Sequence, residues 1–262
     1  MNTPRDSLAQ NARQSREGPD TSAAATLDAA QRSASAVAQL DLGPDLAAAY
    51  AIQRELVQRR VERGERIVGS KLGFTSKAKM AQMGVSEIIV GRLTDAMQVD
   101  NGADVDLARF IHPRIEPEIA FHLGRDVDRD IADCVDAVAP ALEIIDSRYR
   151  DFRFSLPDVI ADNTSAAAFV VGEWQPVRDV ADLPVRLLVD GAEVEAGSSA
   201  AILGHPLRAL EELVELAAKY DIALRTGDVI LAGAATAAVP FAAHSVAAHV
   251  DGLGVASVRG RA

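Results

Sequence analysis

Apolar and polar positions divide the chain into three textures. Residues 1–24 are polar, mixed in charge and rich in Ser, Arg and Gln, which predicts a flexible extension. Residues 25–66 read as a helical region. From Leu27, small apolar residues recur at Ala30, Ala34 and Val37 and predict a first helix. After the break Asp41-Leu42-Gly43-Pro44-Asp45, one face carries Leu46, Tyr50, Val57 and Val61, predicting a second helix that runs to about Arg63 and stops at Gly64. Residues 67–262 change to strand-like runs separated by Gly, Pro and Asp: IVGSKLGF, RIEPEIAFHL, VRLLVDG, DVILAG and SVAAHVDGLGVASVRG. Two helical stretches interrupt them, around Ser76 to Met83 and from Leu207 to Lys219 behind Pro206. Strand and helix do not alternate one to one, so a doubly wound fold is excluded. The pattern is α+β, with a β-rich catalytic core and helices mostly at one end.

Composition narrows the function. A chain of 262 residues with 48% hydrophobic and 25% charged positions has the balance of a globular protein with a sizeable core. Its net charge of −11 repels phosphate backbones and anionic lipid, so neither nucleic acid nor a membrane surface is an expected partner. No apolar run reaches the roughly 18 residues of a membrane span. The N-terminus lacks an apolar signal core, so a cytoplasmic location is expected. The single cysteine, Cys134, excludes an internal disulfide and reads as an inert core residue.

The carboxylates carry the most information. In His112-Pro113-Arg114-Ile115-Glu116-Pro117-Glu118-Ile119-Ala120-Phe121, period-two alternation puts Ile115, Pro117, Ile119 and Phe121 on one face and Glu116 with Glu118 on the other. Their Cα atoms are about 6.6–7 Å apart, so both acids can converge on one point, or lie harmlessly on a solvent-facing strand. Glu143 interrupts the apolar run Val138-Ala139-Pro140-Ala141-Leu142-Glu143-Ile144-Ile145, where a buried carboxylate requires a cation, an Arg or a proton. Three carboxylates meeting in one pocket would suit Mg²⁺ or Mn²⁺. The five histidines are scattered, which disfavours zinc.

Other positions offer polar contacts. Lys71 sits among apolar neighbours in Val68-Gly69-Ser70-Lys71-Leu72-Gly73-Phe74, as a partner for an anionic substrate or as a snorkelling surface residue. Polar groups concentrate from Asp158 through Asp162 to Ser165, a turn or a set of ligand contacts. Gly233-Ala234-Ala235-Thr236 follows a strand and presents N–H groups and the Thr236 hydroxyl to a carboxylate, or simply turns the chain. No serine lies in a nucleophile elbow.

The segments KLGFTSKAKMAQMGV, HPRIEPEIAF, APALEIIDSR, DVIADNTS, LGHPL and TGDVILAGAAT, in this order over about residues 45–258, resemble the hydratase/decarboxylase family of aromatic meta-cleavage pathways, within the fumarylacetoacetate hydrolase superfamily. The resemblance implies a mixed β-roll core and a Mg²⁺ or Mn²⁺ site on Glu116, Glu118 and Glu143. It places an active-site lysine at Lys71 and a substrate-contacting serine at Ser165. Thr164, Ala166 and Ala234 depart from the usual pattern. Hydratases of the family carry an acid where this chain has Ile89, so the implied reaction is CO₂ loss from 2-oxo-3-hexenedioate to 2-hydroxypenta-2,4-dienoate, with Ile88, Ile89 and Val90 as an apolar lid. Water addition to the dienol, and a non-catalytic metal-binding scaffold, are the alternatives. The implied partners are a 2-keto dicarboxylate substrate, copies of the chain and the pathway hydratase. Arg148 and Arg150 are candidates for holding the far carboxylate, or are surface partners of Asp146 and Asp151.

Overall fold

The computed structural model describes residues 22–76, 87–127 and 130–262. The expected extension up to residue 21 and, apart from Ser76, the helix expected over Ser76–Met83 lie outside the described residues. Helix α1 (Ala23–Arg32) begins earlier than the apolar spacing implied, because Ser22 accepts a hydrogen bond from the Ala25 N–H and caps it. It also ends earlier. Ala34 takes a left-handed φ of 47°, and Val37 pairs with Tyr149 in an isolated bridge. Helix α2 (Leu46–Glu62) is capped by Asp45, and Gly64 stops it with a φ of 100°.

The strands follow as β1 (Ile67–Gly73), β2 (Ile89–Thr94), β3 (Gln98–Val99), β4 (Asp104–Asp106), β5 (Arg114–Leu123) and β6 (Val135–Ile145). A short helix α3 (Leu156–Ala161) precedes β7 (Ala166–Val171), β8 (Gln175–Pro176), β9 (Pro184–Val189) and β10 (Ala192–Ser198). Helix α4 (Pro206–Tyr220) then leads to β11 (Val229–Ala234), β12 (Val239–Pro240), β13 (Ser245–Val250) and β14 (Gly254–Arg261). One mixed sheet runs β2-β1-β11-β5-β6-β7-β3, with β12 beside β5 and β8 beside β6. A second runs β10-β9-β13-β14-β4.

Both faces of the central β5–β6 pair are covered. Ile115, Leu142 and Ile144 pack against Leu187, Val246, Ala248 and Val258 of the second sheet. Farther along, Ile119, Phe121 and Val138 share a core with Tyr50 of α2, Ile160 of α3 and Leu210 and Leu213 of α4. The opposite face holds small residues. The register aligns Lys71, Leu231, Ala120 and Ala139 across four strands, with Ala141 beyond them. The glutamates occupy this same face.

Helix α2 braces the neighbouring elements. Gln53 Nε2 donates to the Val90 and Ile160 carbonyls at 2.8 and 2.9 Å, and the Val90 N–H donates to the Tyr50 hydroxyl at 3.1 Å. Arg63 grips both Asp28 oxygens at 2.8 and 2.7 Å, joining α1 to α2.

A buried polar knot holds the segment between α3 and β7. Arg148 is 1% exposed and Asp162 is fully buried. The Arg148 guanidinium donates to Asp162 Oδ1, to the Asp162 carbonyl, and to the Asp146 and Ala166 carbonyls at 3.0 Å. Burial pushes the Asp162 carboxyl up to about 6 against the pull of Arg148. Truncating Arg148 would leave that carboxyl buried without its partner. Arg148→Met should therefore destabilise the fold by about 3–5 kcal/mol. Equilibrium urea denaturation checks it: an unchanged midpoint would show that the knot adds no strength.

Candidate metal centre and cavity

Glu116 and Glu118 point to one side of β5, and the antiparallel register sets Glu143 of β6 directly opposite Glu116. One carboxylate oxygen from each lies within 4.8 Å of the others. Glu116 is 7% exposed, Glu118 0% and Glu143 1%, so the solvent-facing alternative is excluded. Like charges directly opposed across a ladder repel, and burial removes the water that would screen them. The consequence appears in both inner acids. Burial, followed by the charges of Glu143 and Glu116, holds the Glu118 carboxyl well above the usual range. Burial also raises Glu143, with the adjacent Lys71 opposing it.

Lys71 comes from β1, where the register carries it onto the same face. Its Nζ lies 3.1 Å from Glu143 Oε1 and donates to Oε2 at 3.3 Å. The buried Glu143 is thus partnered by a lysine. Glu118 Oε1 is buried and accepts no hydrogen bond from the described residues, and Glu143 Oε1 has the Lys71 ammonium beside it. Converging buried carboxylates, one of them with a hydrogen-bond-free oxygen, fit a divalent cation such as Mg²⁺ or Mn²⁺.

A β-bulge fixes the innermost acid. Leu231 pairs with Ala120 and Ala234 with Glu118, so β11 carries one extra residue between these pairs. Within the bulge Gly233 has a φ of 116°, and its N–H donates to Glu118 Oε2 at 2.7 Å. A Cβ on Gly233 would stand 1.9 Å from Thr75 Oγ1, so only glycine fits.

Beside the trio opens a cavity of about 380 Å³, walled by Lys71, Glu116, Arg114, Thr164 and Ser165 together with apolar side chains that include Ile89 and Val159. The turn bearing the hydroxyls is strained. Asn163, Thr164 and Ser165 all have positive φ, at 49°, 55° and 58°. Such residues cost on the order of 1–3 kcal/mol each and persist only where neighbours over-determine them. Here Asn163 Oδ1 accepts from the Arg92 N–H at 2.7 Å, while its Nδ2 donates to the Arg92 carbonyl at 2.9 Å. Gly91 leaves room for the turn, since a Cβ there would meet the Asn163 carbonyl oxygen at 2.7 Å. The Thr164 and Ser165 hydroxyls are buried at the cavity wall and have no hydrogen-bond partner among the described residues.

The structure brings Glu116, Glu118, Glu143, Lys71, Ile89 and Ser165 into one locale, and corrects the setting of several candidates. Ile89 is not a lid. It is the first residue of β2, paired with Gly73 and 1% exposed, so it forms a fixed wall. Val90 shares the helix-backed core with Ile89 but does not line the cavity. Arg148 and Asp162 are spent on each other, away from the cavity; they position the Ser165 turn rather than meet a ligand. Nor is Arg148 a surface residue. Gly233 directs its N–H to Glu118, which leaves none for a substrate carboxylate. Thr236 lies beside the cavity-lining Ala237 and donates its hydroxyl to that residue's carbonyl at 3.2 Å. Arg150 is exposed and outside the wall. Arg114, Phe152 and Phe154 were not singled out by sequence, although Arg114 shares the alternation of Glu116.

Titrating chelator-treated protein with Mg²⁺ or Mn²⁺ should raise its melting temperature, by an amount equivalent to about 2.7 kcal/mol at a hundredfold excess over the dissociation constant. Glu116→Gln should abolish most of that gain. Equal stabilisation of both proteins would remove Glu116 from the cation site.

Known proteins extend this picture. The family described as fumarylacetoacetate (FAA) hydrolase C-terminal matches residues 43–259. A 4-oxalocrotonate decarboxylase of Pseudomonas sp. is 55% identical over 81% of this chain and 86% of its own length. A 2-keto-4-pentenoate hydratase of Burkholderia vietnamiensis (strain G4 / LMG 22486) is 40% identical over 89% of this chain and 94% of its own. A solved 4-oxalocrotonate decarboxylase from Pseudomonas putida G7, complexed with magnesium and adipate, superimposes with a TM-score of 0.87 at 36% identity, covering 91% of this chain and 95% of that one. The mixed α+β architecture and the match over most of the sequence agree: the chain belongs to the fumarylacetoacetate hydrolase family.

Proposed function

We propose that this protein is a divalent-cation-dependent carboxy-lyase acting on 2-oxo-3-hexenedioate, also called 4-oxalocrotonate, and releasing CO₂ and 2-hydroxypenta-2,4-dienoate in aromatic catabolism. The likeness to the decarboxylases supports this reading. The observation that carries it is Ile89: an apolar, buried residue walls the cavity beside the glutamate trio.

When the C5–C6 bond breaks, its electron pair becomes the C4–C5 double bond. Charge passes along the conjugated chain to the C2 oxygen, which then takes a proton. A Mg²⁺ or Mn²⁺ ion held by Glu116, Glu118 and Glu143 supplies Lewis acidity toward that oxygen. Lys71 offsets part of the glutamate charge and favours negative charge growing next to it. The Thr164 and Ser165 hydroxyls, which have no hydrogen-bond partner among the described residues, offer hydrogen bonds to the C1 carboxylate. Ile89 and Val159 wall the conjugated chain and exclude water that would otherwise add to it. A hydratase would need an acid there to protonate carbon. Among the described residues lining the cavity, the ionisable side chains are Lys71, Arg114 and Glu116, and position 89 itself carries no acid. Association of the chain with its own copies, or with a hydratase of the same pathway, belongs to this reading and is checked by light scattering of each protein alone and mixed.

Purified protein with Mg²⁺ should release CO₂ from 2-oxo-3-hexenedioate while the dienol accumulates. Water addition to supplied dienol would instead identify a hydratase, and silence in both assays with the metal bound would identify a scaffold. Ile89→Asp should lower CO₂ release at least tenfold, with Ile89→Leu close to wild type. Undiminished release by a folded Ile89→Asp variant would remove the apolar-wall mechanism.

A further inference from the structure

Charge in the cavity is unevenly placed. Lys71 and Glu116 stand at the glutamate end of the cavity. The remaining charged group on the described wall is Arg114. It opens β5 on the face that bears Glu116, two residues before it. Its Nη2 donates to the Ala238 carbonyl at 2.6 Å, and Ala238 also borders the cavity. That bond aims the guanidinium, while Nε and Nη1 make no hydrogen bond to the described residues. Arg114 is exposed, so it stands at the mouth, with Phe152, Phe154 and Ile145 on the same wall. Arg148, by contrast, is 1% exposed, does not line the cavity and spends four of its five N–H donors inside the core.

We infer that Arg114 is the specificity-determining residue that captures the far carboxylate of a dicarboxylate substrate whose other end lies at the metal centre. The inference rests on the decarboxylase reading for the identity of that far group. An ion pair at the mouth strengthens binding of the ground state. It weakens as the carboxylate becomes CO₂, so it favours substrate more than transition state. Arg114 therefore selects diacids over monoacids without contributing to the bond-breaking step.

The test uses full-length, Mg²⁺-loaded protein and calorimetric binding of adipate against hexanoate, which differ by one terminal carboxylate. Wild type should prefer adipate, and Arg114→Met should weaken adipate roughly five- to tenfold while leaving hexanoate unchanged. Arg114→Lys should recover part of the preference. In turnover, Arg114→Met should raise KM by a similar factor with no fall in kcat, a split that a misfolded site would not give. Equal adipate affinity in wild type and Arg114→Met, equal losses for both ligands, or no preference for adipate in wild type would each overturn the inference. Absence of CO₂ release by wild type would refute the decarboxylase reading, whereas the binding comparison reports on Arg114 by itself.

Discussion

Repulsion among three buried glutamates is the constraint around which the rest of this structure is arranged. Glu116 and Glu143 face each other across the β5–β6 ladder, and Glu118 follows one repeat later. Burial and mutual repulsion raise the pKa of both inner carboxyls, because the ionised form is costly for groups so thoroughly removed from water. Neighbouring features reduce that cost or direct it. Lys71 supplies a positive charge, the bulge of β11 supplies an N–H, and the alanines of the same face leave space for the acids to converge. The arrangement is a poor way to stabilise a fold and a good way to hold a hard ion.

The walls of the cavity are made differently from its charged end. Ile89 comes from a paired strand and the hydroxyls come from a backbone turn in an unfavourable conformation. The turn is pinned from two directions. Asn163 bonds the backbone of β2, and Arg148 draws the Asp162 end into the core. Helix α2, through Gln53 and Tyr50, fastens the same β2 and α3 from behind. Residues far from any ligand thus set where the Thr164 and Ser165 hydroxyls sit.

Much of the charged end was legible in the sequence. Period-two alternation joined Glu116 to Glu118, and an acid inside an apolar run marked Glu143. Family resemblance then added Lys71, Ser165 and Ile89. Other features were hidden for physical reasons. The Ala166–Val171 strand begins with three alanines, which have no strand signature of their own. Arg148 and Asp162 look like ordinary polar residues until burial shows that each satisfies the other. Thr236 and Gly233 lie in a plausible anion-binding sequence, but the bulge turns the Gly233 N–H toward Glu118. Arg114 obeys the same alternation as the glutamates and would have emerged from applying it one repeat further. Ile89 lies in a paired strand opposite Gly73, a setting that the sequence pattern around it does not announce.

The extra residue in β11 has an evolutionary corollary. Wall positions such as Ile89 can be exchanged one side chain at a time without altering the strand register. The stretch from Leu231 to Ala234 is governed by count rather than by identity. Losing a single residue there would straighten the ladder, withdraw the amide that anchors Glu118, and invert which side chains look inward. Drift in this lineage should therefore spare the length of that segment even where its letters change.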